Sequence, residues 1–361
     1  MKALEKIDQG QLLLLLLFTI SSTIQLPLPR FLALAAGRAG WISALVGSVF
    51  GLAILAVPTL LALRLPPGPL PVALESLLGK FWGRAVCLFF GLGIFSFVPL
   101  MLRVFGAAFI VGMMPRTPAS ALILIFMLNV FLLSYLGLEP IARSAQAFAI
   151  PIVLAFLVVV FGSIPPLDLL RLKPWFADGL LQILRGATFV APYFGEGAIV
   201  LYLIPALQNK EGIWKTISWS GVLVCLAFAS LTFASIGTLT ATWTASVPYP
   251  GLRLARNVSI GRFFHRFEPL FLSMWYLSVY LKTSLLLFLA AQLLAHVFNQ
   301  KNYRLLLGIL LVVAFPLAFL PKDLLEVFAL QFGFARLMSF VIGFVLPGVL
   351  LFFAFRGGKT Q

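Results

Sequence analysis

Apolar residues in this chain run in long blocks rather than alternating with polar ones. The windows 41–63, 117–138, 144–167, 216–252 and 337–355 contain no Asp, Glu, Lys or Arg. About 20 apolar residues cross a bilayer as a helix, because only a helix or a closed barrel satisfies its backbone hydrogen bonds in lipid. The pattern predicts ten spans, near 11–35, 40–63, 84–112, 119–137, 144–163, 183–206, 216–241, 268–297, 304–320 and 336–356. Between them lie turn-rich or charged connections: LRLPPGPLP at 63–71, MPRTP at 114–118, LRLKPWFADG at 170–179 and NVSIGRFFHRFE at 257–268. No soluble domain is visible, so a single transporter-like membrane domain is expected to fill residues 1–361. The fold class read from this is all-α and polytopic.

Two spans are interrupted by helix-breaking or small polar residues. Span one holds Ser21, Ser22 and Thr23, then Gln25 and Pro27; span six holds Pro192-Tyr193-Phe194-Gly195-Glu196-Gly197. The breaks lie close to half the chain apart, which is the hydropathy pattern of a 5+5 inverted repeat. The opening MKALEKIDQGQLLLLLLFTISSTIQLP also has the shape of a signal peptide. A polytopic chain is already targeted by its first span, and Pro27 and Pro29 suit an interrupted helix, so the span is the reading adopted.

Composition agrees. The chain is 61% hydrophobic and 10% charged, with a mean hydropathy of +1.08, whereas soluble domains carry about 25% charged residues. The net charge of +15 sits in short loops, which points to anionic lipid headgroups rather than nucleic acid. With a cytoplasmic N terminus the inner and outer segments each carry twelve Lys or Arg, so charge bias does not set the topology. The outer stretch 253–266 alone holds Arg253, Arg256, Arg262 and Arg266. It reads either as a loop facing lipid headgroups or as a site for an anionic partner. Cys87 and Cys225 fall in apolar windows as small hydrophobes, and His265 and His296 are isolated, so no disulfide or metal site is expected. No phosphate-binding glycine loop or nucleophile elbow occurs, and no acid, base and nucleophile converge; neither a cofactor nor an enzyme is expected.

The intramembrane charges carry the chemistry. Glu196 lies deep in span six, Lys282 near the middle of span eight, and Arg103 near the end of span three, where it can snorkel. A charge at mid-bilayer costs at least a few kcal/mol, so it faces a partner or a wet cavity. Three readings of Glu196 stand: a ligand-binding carboxylate at a broken helix, a structural pair with Lys282, and a protonated carboxyl. Around it, Ser21, Ser22, Thr23, Ser96, Tyr193, Gly195, Gly197 and Tyr276 are the candidate ligand-binding residues. The glycines flanking Glu196 are expected to let the helix unwind. Most phenylalanines are expected to pack or face lipid.

Several segments resemble the B subunit of bacterial spore germinant receptors, the GerAB-like spore germination permeases of the amino acid–polyamine–organocation superfamily. KIDQGQLLLLLLFTISSTIQLPLPR at 6–30 is similar to its first-span signature, followed by AGRAGWIS at 36–43. LRVFGAAFIVGMMPRTP at 102–118, GLEPIARSAQ at 137–146, PYFGEG with LYLIPAL in span six, and NVSIGRFFHRFEPLFLSMWYLSVYLK at 257–282 follow in the family's order. The chain departs from the family at its first break, where glycine is common, and at Ala39 and near Ala107, where an acidic residue is usual. The resemblance implies a LeuT-type fold with cytoplasmic termini and a small-molecule pocket between spans one, three, six and eight. It implies an A subunit and a lipoprotein C subunit as partners, a place in the spore inner membrane (otherwise the cytoplasmic membrane), and a nutrient germinant, an amino acid, as ligand. An amino acid symporter driven by protons or sodium is the alternative within the same fold; a scaffold with a vestigial pocket is a third.

Overall fold

The computed structural model describes residues 6–175, 179–260 and 264–357. Arg262 of the basic stretch, residues 176–178 of the 170–179 connection and the first five residues lie outside the described residues. Among those described, eight helices are long and apolar enough to cross a membrane. One of them, Leu28–Arg64, joins the second half of span one to span two, and the shorter apolar helices Gln9–Ser22 and Tyr303–Leu317 complete ten crossings.

In chain order, α1 (Gln9–Ser22) and α2 (Leu28–Ala36) form the broken first span, and α3 (Gly40–Arg64) the second. A short α4 (Leu70–Leu78) leads to α5 (Lys80–Gly112), then α6 (Ala119–Leu136) and α7 (Leu138–Gly162). Span six is α8 (Leu180–Ala187), a 3₁₀ stretch Ala191–Ile199 and α9 (Val200–Leu203). Next come α10 (Ile213–Leu239), the short α11 (Ala241–Ser246) and α12 (Pro250–Asn257), then α13 (Glu268–Val297) and α14 (Tyr303–Leu317). Span ten is α15 (Leu324–Ala329), α16 (Arg336–Phe340) and α17 (Leu346–Gly357), joined by the π-helical segments Leu330–Ala335 and Val341–Val345. A two-residue hairpin, Ser259–Ile260 against Phe264–His265, sits in the loop before α13.

Helices α5 and α7 and span ten start four or more residues earlier than hydropathy predicts, and charged residues stand at each start. The start of α7 includes Glu139 and Arg143, which pair one turn apart at 2.6 Å on an exposed face. Span ten begins at Leu324 rather than 336, because Asp323 caps it, accepting from the Glu326 amide. The start of α5 carries Arg84, paired with Glu75 of α4 at 3.0 Å. A charged residue ends a hydropathy window but not a helix.

Burial sorts the spans into an interior and a lipid-facing ring. In span six and in α13, 83% of the most apolar window is buried, against 22% in α7 and 28% in span ten. The interior spans are thus those that carry Glu196 and Lys282. Helix α13 packs against α5, α6, α7 and α1, while the 3₁₀ stretch wedges between α3, α1 and span ten. At the base, the residues before α1 are strapped to the end of span six: the Ile7 amide donates to the Ala206 carbonyl, and the Gln208 amide to the Ile7 carbonyl, both at 3.0 Å. Asp8 and Gln11 close a reciprocal capping box there.

Candidate functional site

The first break is a five-residue interruption, 23–27, ended by Pro27 and Pro29, neither of which has an N–H to continue the α1 ladder. The hydroxyls of Ser21 and Ser22 donate back to the Leu17 and Phe18 carbonyls, each at 2.6 Å, so they are spent within α1. The carbonyls released by the break have partners from other spans. Trp275 Nε1 donates to the Ser22 carbonyl at 3.0 Å, and Gln331 Nε2 donates to the Thr23 carbonyl. Both groups are buried, where an unsatisfied carbonyl would be costly.

The second break does not unwind as expected; it tightens into a 3₁₀ helix. Its glycines answer a different need, close approach. A Cβ on Gly195 would stand 2.0 Å from the Ser339 carbonyl oxygen, and one on Gly343 would stand 2.1 Å from the Gly195 Cα. Backbone therefore touches backbone between spans six and ten. At Gly197 a Cβ would stand 2.3 Å from Leu55 Cδ1 of α3. The Tyr193 hydroxyl donates to the Gln331 carbonyl, adding a hydrogen bond between the same two spans.

These contacts place three polar side chains in one dry cluster. Thr23 Oγ1 lies 2.8 and 3.0 Å from the two carboxylate oxygens of Glu196. Lys282 Nζ donates both to Glu196 Oε2 and to Thr23 Oγ1. The Thr23 hydroxyl accepts from the lysine and donates to the carboxylate, which fits an ammonium–carboxylate pair. Lys282 is 0% exposed and Glu196 3%; the ammonium also lies 5.6 Å from the Phe97 ring centre. Beside the carboxylate is a cavity of about 10 Å³ walled by Ile94, Phe97, Ile199, Leu286 and Ile342. That is room for about one water.

Of the residues picked out by sequence, Thr23, Glu196 and Lys282 meet directly, with Ser22, Tyr193, Gly195 and Gly197 on the surrounding backbone. Ser21 is buried in the same turn but bonded within its helix. The hydrogen bond and ring contacts of Ser96 and Tyr276 lie elsewhere. Ser96 donates to the Gly93 carbonyl of its own helix at 2.7 Å. Tyr276 joins an aromatic group with Phe105, Phe126 and Tyr280, ring centres 5.6–6.0 Å apart. Arg103 reaches the Lys322 carbonyl at 3.2 Å in the loop before span ten. Sequence reasoning missed the contribution of span ten: Gln331, Ser339 and Gly343. The signal was Gln331, a buried amide in the apolar run FALQFGF.

The spore permease family, described as spore germination protein, matches residues 6–327. Spore germination protein YndE of Bacillus subtilis (strain 168) is 25% identical over 316 residues, 86% of this chain and 86% of that protein. Spore germination protein B2 of the same organism is 26% identical over 353 residues, covering 96% and 94%. Among solved structures, MhsT in complex with L-phenylalanine superposes with a TM-score of 0.66 at 14% identity, over 97% of this chain and 99% of that one. At that identity the likeness is one of fold, and it establishes the LeuT-type arrangement.

Proposed function

The chain belongs to the spore germination protein family, and from that premise we propose that it is the nutrient-sensing membrane subunit of a germinant receptor. Its place is the spore inner membrane, and an A subunit and a lipoprotein C subunit are its partners. It signals rather than catalyses. The observation that carries this reading is the Thr23–Glu196–Lys282 cluster, which joins both broken helices to α13 through one buried charge pair.

An amino acid germinant binds at the breaks, with its ammonium replacing that of Lys282 on Glu196. The 10 Å³ cavity holds no amino acid, so binding requires α13 and span ten to move away from the breaks. A ligand shifts that equilibrium only by binding the opened arrangement more tightly. This is how occupancy becomes a rearrangement that partner subunits can feel. The test is thermal unfolding of the purified protein, wild type and Glu196→Gln, against the common amino acids. A ligand-specific rise that the variant loses supports the reading; a variant that responds like the wild type refutes it.

One observation favours the symporter alternative. Lys282 places a fixed cation on the carboxylate, as a proton- or cation-coupled carrier needs between cycles. Counterflow of labelled amino acids in proteoliposomes separates the two: sustained exchange identifies a carrier, binding without exchange a sensor.

A further inference from the structure

A second cavity, of about 200 Å³, opens where α5 ends and α12 begins. Span three, like span one, ends on the face opposite the Ile7–Ala206 strap. Val111 and Leu252 give the cavity an apolar wall, and Tyr249, Arg253, Arg256 and Glu268 give it polar groups.

The charges do not balance. Glu268, with a side chain 8% exposed, is shared by two guanidiniums: Arg256 donates to Oε1, and Arg266 Nε lies 3.5 Å from Oε2. Arg253 has no carboxylate partner among the described residues; its guanidinium lies 5.8 Å from the Trp243 ring centre. The lining therefore holds two guanidiniums, Arg253 and Arg256, and one carboxylate, Glu268, which the exposed Arg266 also approaches. Tyr249 is 3% exposed, and its hydroxyl has no hydrogen-bond partner. Burial pushes that phenol above its ordinary range, so it stays a neutral donor. An unpaired buried donor beside an unneutralised guanidinium suits a compact anion with two acceptor oxygens and a short apolar body.

We propose that this cavity is a second binding site, for a small carboxylate, separate from the Glu196 cluster. Lipid phosphate is the other anion present at a membrane face, so the test must distinguish the two. The experiment uses the full chain in nanodiscs of phosphatidylcholine, titrated with sodium propionate, with ethylammonium chloride as the salt control. The readouts are thermal stability and the change in tryptophan fluorescence that Trp243→Phe removes.

A saturable response to propionate alone is expected, weakened at least tenfold by Arg253→Gln and several-fold by Tyr249→Phe. It should be unchanged by the double variant Glu196→Gln with Lys282→Met, which removes both buried charges together. Tyr249→Phe deletes a hydroxyl that bonds nothing in the protein, so it leaves the fold intact and keeps the test decisive if Arg253→Gln is unstable. An unsaturable response, a response that survives both variants, or one lost in the double variant Glu196→Gln with Lys282→Met overturns the proposal. So does abolition of propionate binding when phosphatidylglycerol is added to the nanodiscs, which would make this a headgroup site.

Discussion

Replacing Lys282 with methionine tests whether the buried pair holds the two breaks against α13. Methionine keeps the length and apolar stem of lysine and removes only the ammonium. Glu196, 3% exposed, then loses its ammonium partner and keeps the Thr23 hydroxyl. Removing one member of a buried pair costs about 3–5 kcal/mol, because the survivor keeps its desolvation penalty. Taking roughly 2 °C per kcal/mol for a large domain, the melting temperature should fall by about 6–10 °C. The double variant Lys282→Met with Glu196→Gln removes both charges, and Gln still bonds Thr23; it should regain most of the loss, ending within about 2 kcal/mol of wild type. The assay is the monodisperse fraction surviving a heating series in detergent, measured by size-exclusion chromatography. A single variant as stable as wild type, or a double variant as unstable as the single, would refute a charge pair at this position.

Three further outcomes follow from the geometry. Gly195→Ala should lower the yield of folded protein sharply, since its Cβ falls 2.0 Å from the Ser339 oxygen, while Gly308→Ala, with nothing within 4 Å, should be neutral or stabilising; expression followed by heating compares them. Gln331→Leu should destabilise by about 1–3 kcal/mol, because the Thr23 carbonyl loses its donor in a dry environment; the same heating series reads it. Hydrogen bonding to His296, and then to Arg84, holds the Glu75 carboxyl below its ordinary 4.5. A depressed carboxyl contributes stability that is present above that value and lost as the pH falls through the lowered one. Stability should therefore drop on acidification below about pH 4.5, and Glu75→Gln should flatten that limb in a pH series of melting curves.

Most of the architecture was legible from hydropathy, because lipid enforces length and apolarity on every span. The breaks were legible too: Ser21-Ser22-Thr23 and Pro192 through Gly197 depart from the apolar blocks around them. What could not be read was how the breaks are filled. Gln331 and Trp275 donate to carbonyls 308 and 253 residues away in sequence, and no local pattern encodes a contact between residues that far apart. The role of Gly195 was misread for a related reason. A glycine beside a charge looks like a hinge, and only the partner backbone of Ser339 and Gly343 reveals it as a contact point. Span ten itself was cut short by treating Arg336 as its boundary, which left Gln331 outside the membrane.

The order of synthesis adds a constraint on how this protein is made. Glu196 precedes Lys282 by 86 residues, so the carboxylate reaches the bilayer before its counter-ion has been translated. An acidic side chain at the centre of an inserting helix costs about 2.5–3.5 kcal/mol. Until α13 arrives, Thr23 is the one member of the cluster already in place. A nascent chain stalled ahead of residue 268 therefore carries an acid in its sixth span without its lysine, and the insertion of α13 removes that cost.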